Sequence, residues 1–206
     1  MLLPLTRFQD AMPFDISDFQ RAPLVSGRFV KPLRVDYVQN GHPCSWEVVQ
    51  CHDSVAVLLY HRDKDALLLV KQFRPAVYLN HPQHLCTYEL CAGLVDKDIP
   101  LPQIVREEID EECGFAVPVE NIRKISSFFT HVGISGNQQH LFFAMIDDTM
   151  HIHAGGGVQS EQILLEYVPL AAANAFIYDE SKAKTPGLMF AFSWFLANRE
   201  LALTPG

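Results

Sequence analysis

Three carboxylates stand where a hard cation could be held. Glu108, Glu111 and Glu112 lie three and four residues apart near the end of the segment AGLVDKDIPLPQIVREEIDEECGF, residues 92–115. On an α-helix this spacing stacks them on one face, within an arc of roughly 100°. Val105, Ile109 and Cys113 recur every four residues on the neighbouring face, which such a helix can bury against a sheet. Carboxylates packed side by side repel one another and hold their protons more tightly unless a cation sits among them. An all-oxygen donor set of this density suits Mg²⁺ or Mn²⁺. Ahead of the helix, Ala92-Gly93 reads as a small-residue turn leading into a loop. Pro100 and Pro102 suit the helix's first turn, where a missing N–H does no harm.

The rest of the chain must position that helix. Its 206 residues fit one domain with an extension, and 49% hydrophobic content with 14 Phe is ample for a core. A net charge of −8 argues against non-specific binding to nucleic acid, which depends on Lys and Arg neutralising phosphates. An anionic ligand would need a local cation or a few placed basic side chains. Five cysteines are an odd number, without a C-x-x-C pair, so neither a disulfide framework nor a zinc ribbon is indicated. A reducing cytoplasm is the expected home. The start, MLLPLTRFQD, makes a poor signal peptide, and the apolar segment from Gly187 to Ala197 is too short to span a bilayer. No membrane partner is expected.

Residues 1–27 show no period and read as a flexible arm or a strap along a partner subunit. From Phe29 a strand is expected, with Leu33, Val35 and Tyr37 alternating against Arg34, Asp36 and Val38. Asn40-Gly41 is a favoured hairpin turn, and Ser45 to Cys51 reads as the returning strand, carrying Trp46. Ser54 to Tyr60 and Ala66 to Phe73 are apolar runs of the kind that form buried central strands. Thr87 to Cys91, Ile122 to Phe129, His140 to Ile146 and Ile163 to Val168 read as further strands. Helices are expected from Pro169 to Phe176 and from Pro186 to Asn198. Gly155-Gly156-Gly157 reads as a mobile loop running to Glu161.

Other chemistries find less support. Gly133-Ile134-Ser135-Gly136 is one residue short of the G-x-S-x-G elbow of serine hydrolases. The triple glycine matches neither a Walker A loop nor a dinucleotide fingerprint. His151 and His153 could ligate a metal, but two loop histidines are more ordinarily surface residues.

A solvated face is the usual meaning of an acidic run, but the flanking residues here follow a longer pattern. The stretch from Gly93 to Phe115 resembles the Nudix box, G-x5-E-x7-R-E-U-x-E-E-x-G-U, with U an apolar residue. It departs at two positions, Ile99 for Glu and Glu107 for Arg, which pair with each other in the family; the departure predicts a lost structural ion pair. The segments HDSVAVLLY, LLLVKQFRPAVY, TYELCAGLVD, VGISGNQQHLFF and KTPGLMFAFSWFL extend the likeness. Together they resemble the UDP-sugar diphosphatase branch of Nudix hydrolases, neighbours of the ADP-ribose diphosphatases. The resemblance implies an α/β fold, an α/β/α sandwich around a mixed sheet, with an N-terminal β extension that joins a homodimer. It divides the chain into an arm and hairpin, residues 1–52, for dimer and base contacts, and a hydrolase domain, residues 53–206. It implies metal ligands at Glu108, Glu111 and Glu112 with the Ala92 carbonyl, a phosphate contact at Arg74, and Trp46 stacking on the base. Glu161 is implied as the general base, with Glu111 as the second choice. Val132, before Gly133 in the substrate loop, stands where ADP-ribose enzymes carry Pro, which favours a UDP-sugar. The implied reaction is Mg²⁺-dependent hydrolysis of a nucleoside diphosphate sugar, UDP-glucose to UMP and glucose 1-phosphate. ADP-ribose is the alternative substrate, and a binding protein without catalysis is a third reading.

Overall fold

The computed structural model describes residues 14–158 and 161–204. The first half of the expected arm, residues 1–13, lies outside them. Of the arm that is described, Phe19 packs edge-on against Tyr78 and Phe73 of its own chain, with ring centroids 5.1 and 6.4 Å apart.

The hairpin is β1, Lys31–Gln39, and β2, His42–Gln50. Asn40 and Gly41 both take left-handed backbone, φ 54° and 80°, as the favoured two-residue turn requires. So tight a turn leaves no loop, and pairing runs up to Gln39 opposite His42, three residues before the expected start of β2. The alternation of Leu33, Val35 and Tyr37 does not produce a buried face within this chain: every residue of β1 is exposed. The ribbon touches the body through Val49, whose N–H donates to the Ile134 carbonyl at 2.9 Å, and through Trp46.

Seven strands form the main sheet. β3, Ser54–His61, and β4, Ala66–Gln72, are almost wholly buried, as continuous apolar runs require. They pair antiparallel only next to their connecting turn, from Leu59 to His61 against Leu68 to Ala66, and then diverge. Two short strands fill the opening. β5, Thr87–Glu89, pairs with the far end of β4, and β6, Cys91–Leu94, pairs with the near end of β3. Ala92 and Gly93 are therefore strand residues opposite Ala56 and Val55, and not the turn expected from their size. The free edge of β3 takes them up. On the other edge of β3 lies β8, Gln138–Ile146, in parallel, followed by β7, Arg123–Phe129. β9, Ile163–Pro169, closes the outer edge of β4.

Helices cover both faces. α2, Leu101–Glu108, with the turn that follows it, buries Ile104, Val105, Ile109 and Cys113 completely against Val57, Leu59, Leu68 and Val70. This is the four-residue stripe expected from the sequence. Each fully buried aliphatic side chain contributes about 1.5–3 kcal/mol. On the opposite face lie α3, Leu170–Tyr178, α4, Pro186–Ala197, and α5, Arg199–Leu203, with Phe176, Phe192 and Phe195 packed on Leu58, Leu67 and Phe143. The short α1, Pro75–Asn80, and α5 have no counterpart in the sequence reading. The result is an α/β/α sandwich around a mixed sheet. Among the described residues no helix is long and apolar enough to cross a membrane.

Candidate active site

The glutamate helix is regular only as far as Glu108. Ile109–Cys113 widens into a π turn that ends on Gly114 in left-handed backbone, φ 74°. A Cβ at Gly114 would lie 1.8 Å from the His153 carbonyl oxygen, so only glycine fits the exit. The widened turn alters the angular step between Glu108 and the two glutamates that follow it. Glu112 turns inward and is only 6% exposed, with its Oε2 accepting the Ala92 N–H at 3.1 Å. Glu108 and Glu111 are half-buried.

Burial dominates the electrostatics. It pushes the Glu112 carboxyl up to about 8, against the opposing Ala92 N–H and Cys91 thiol hydrogen bonds. It also pushes Glu108 up to about 7, helped by the charge of Glu111 and opposed by Lys97. Gly93 makes room for this carboxylate: a Cβ there would lie 1.9 Å from Glu108 Oε1. The donor set fits a divalent cation, because buried oxygens that resist ionisation are those a cation would most relieve. A second acidic group differs in this respect. His61, Asp63 and Asp148, at the opposite end of β3, bring their donor atoms within 4.8 Å of one another. There Lys64 already supplies the charge, 2.5 Å from Asp148 and 3.0 Å from His61 Nε2.

Glu108, Glu112, Ala92 and Gly93 line one wall of a cleft of about 560 Å³. Arg74, just past β4, lines the same cleft. It donates through Nε and one terminal nitrogen to both oxygens of Glu89, each at 2.8 Å. Such a fork-to-fork pair fixes the guanidinium plane and leaves three of its five N–H groups for a ligand. Thr87 donates its hydroxyl to the same carboxylate. Glu89 escapes the sequence reading. The signal was present: a lone charge in the otherwise apolar or small strand segment from Thr87 to Cys91.

Glu161 also lines the cleft, with Oε2 accepting the Val158 N–H at 3.0 Å. Its charge acts on Arg74, Glu108 and Glu112 alike. The triple glycine before it is not the free hinge expected from composition. Gly156 and Gly157 donate their N–H groups to the carbonyls of Glu112 and Glu111, at 2.9 and 3.1 Å. A Cβ on Gly155 would lie 2.3 Å from the Glu112 oxygen. The glycines bring the loop flush against the last turn of the glutamate helix and satisfy its end carbonyls.

The remaining candidates lie apart from this cleft. Trp46 is 55% exposed, and its indole N–H donates to the Gly133 carbonyl at 2.7 Å. Trp46 and Gly133 thus meet each other, but neither lines the cleft; nor does Glu111. His151 and His153 diverge, His151 tilting over Phe115 and His153 pairing with Asp110 at 2.7 Å. The two departures from the box also find their places. Ile99 packs on the core beneath α2, and Glu107 pairs with Lys97 at 2.5 Å. The pair between positions 99 and 107 is therefore absent, as expected, and Glu107 takes a different partner, Lys97, two positions before Ile99.

No family model matches the chain. It is similar to the uridine diphosphate glucose pyrophosphatase of Bos taurus, 36% identical over 197 residues, covering 82% of this chain and 89% of the relative. The protein of the same name from Mus musculus is 32% identical over the same extent. The GDP-mannose pyrophosphatase of Citrobacter koseri is 35% identical over 131 residues, 64% of this chain and 67% of that protein. With the box, the mixed sheet between helices and likeness over nearly the whole length of the first two relatives, the chain belongs to the Nudix hydrolase family of enzymes.

Proposed function

We propose that the protein hydrolyses the diphosphate bridge of a nucleoside diphosphate sugar, with UDP-glucose giving UMP and glucose 1-phosphate, and that it uses Mg²⁺ or, alternatively, Mn²⁺. The observation that carries this reading is one cleft that gathers a buried carboxylate, Glu112, a half-buried one, Glu108, both with raised pKa, and a fixed guanidinium. The names of the Bos taurus and Mus musculus relatives support the choice of UDP-glucose. Glu108, Glu111 and Glu112, with the Ala92 carbonyl, would hold the ion, which supplies neutralisation of the diphosphate charge and acidification of water. Arg74 grips a phosphate oxygen with the N–H groups that Glu89 leaves free, and its plane does not need to reorganise as charge develops. Glu161 takes the proton of the attacking water as the new P–O bond forms and the bridging P–O bond breaks. Trp46 stacks on the base.

The test is a substrate panel of UDP-glucose, UDP-galactose, ADP-ribose and GDP-mannose with Mg²⁺, with products identified. UDP-glucose should show a kcat/KM above that for ADP-ribose, since Val132 replaces the Pro of ADP-ribose enzymes. ADP-ribose better by about tenfold, a difference of roughly 1.4 kcal/mol, would reverse the assignment.

Residues 1–52 serve on this reading as arm and hairpin for dimer and base contacts, and residues 53–206 as the hydrolase body. A two-stranded ribbon is at best marginal by itself. This one exposes Leu33, Val35, Tyr37 and Val38, which supports a homodimer closing over it. Sedimentation at micromolar concentration should give twice the monomer mass of 23.3 kDa; monomer alone would count against the dimer. Five free cysteines support a reducing compartment, the cytoplasm.

A further inference from the structure

The charges around the cleft are unbalanced. Glu89, Asp96, Glu108, Glu112 and Glu161 line it against only Arg74 and Lys97 among the described residues. A diphosphate diester brings two more negative charges. Each cation in the cleft therefore bears on whether the substrate is held, and the two are tied down differently.

Arg74 is fixed at both ends of its fork by Glu89, a buried carboxylate that itself lines the cleft. Lys97 sits in the loop between β6 and α2. Its partner Glu107 lies outside the cleft lining, and the side chains are 48% and 31% exposed. An ion pair this open is worth about 0–1 kcal/mol, because water screens it and two long side chains must be held still. An ammonium is a point charge with three donors on a flexible stem, so Lys97 can give one to Glu107 and turn others to a new anion.

We propose that Lys97 is a substrate-contacting residue, its ammonium taking a phosphate oxygen of the diphosphate from the loop while Arg74 takes one from the sheet. This rests on the nucleotide-sugar reading above. The competing account is structural, with Lys97–Glu107 serving only to hold the loop to the helix. A charge swap separates the two. Lys97→Glu with Glu107→Lys restores the pair but puts a carboxylate where the phosphate would lie.

Wild type, Lys97→Met, Lys97→Arg and the double variant are compared by thermal melting, by UDP-glucose kinetics with Mg²⁺, and by titration with UDP. Lys97→Met should raise KM and the Kd for UDP by about tenfold with kcat within a factor of two, the loss of one charge-assisted hydrogen bond. Lys97→Arg should recover most of this. The double variant should melt with the wild type yet keep a raised KM and Kd. Wild-type KM and Kd in either Lys97→Met or the double variant would overturn the proposal. If wild type binds UDP but turns over no UDP-sugar, the functional reading fails, and the UDP titrations alone decide Lys97.

Discussion

Glu112→Gln should lower kcat by at least about a hundredfold while making the metal-free protein more stable at alkaline pH. The first half follows, on the proposed metal site, from losing an oxygen that can carry charge among its donors, where single changes to ligands or their supports cost 10–100-fold or more. The second half follows from burial. Glu112 is 6% exposed, so solvent does little to screen its charge. Its carboxyl ionises at about 8 in the folded chain, above the ordinary value of 4.5. A folded-state value raised in this way means that the fold binds the proton more tightly than the unfolded chain does. The stabilising contribution is complete below about 4.5, falls as pH rises towards about 8, and is gone beyond it. Glutamine cannot ionise and carries no such slope. Denaturation in excess chelator at pH 5 and at pH 9 should show the variant gaining on wild type between the two, with Glu108 leaving a smaller slope of its own. Full activity in chelator would remove Glu112 from the metal site, and a variant less stable than wild type at pH 9 would overturn the cost assigned to its buried charge.

Glu161→Gln should lower kcat by about a hundredfold or more and leave KM within a few-fold. A general base contributes typically 10²–10⁴-fold, and it acts only once water attacks, so ground-state binding survives its loss. The amide keeps an oxygen to accept the Val158 N–H at the present 3.0 Å, so the loop has no reason to rearrange. A solvent-isotope and pH-rate comparison identifies the step: the limb that reports the base should vanish from the variant's profile. Unimpaired turnover would hand the role to Glu111. The contrast between the two variants is informative, since only the Glu112 change should alter dependence on the divalent ion.

The readable parts of the chain are those governed by local pattern. The apolar runs of β3 and β4, the Asn40-Gly41 turn and the four-residue stripe of α2 each depend on neighbours in sequence, and each lies where that pattern puts it. The missed parts depend on partners far along the chain. Ala92-Gly93 looks like a turn until the free edge of β3 takes it up, a pairing across some 37 residues. The π turn at Ile109–Cys113 has no signature in helix periodicity. Gly155 to Gly157 suggests flexibility by composition, and only the carbonyls of Glu111 and Glu112 give these residues a fixed place. Glu89 and Lys97 follow the same rule, for their meaning comes from Arg74 and Glu107. Trp46 and Gly133 meet each other outside the cleft, a separation no motif on a single chain conveys.

The backbone stitching between the triple glycine and the glutamate helix has a use at the bench. Gly156 and Gly157 amides point at the carbonyls of Glu112 and Glu111, so their hydrogens are sheltered only while loop and helix stay together. Their exchange with deuterium is a clock on that union, readable without any turnover assay. Slower exchange on adding Mg²⁺ or nucleotide would time the tightening of the two halves, and faster exchange would time their release of product.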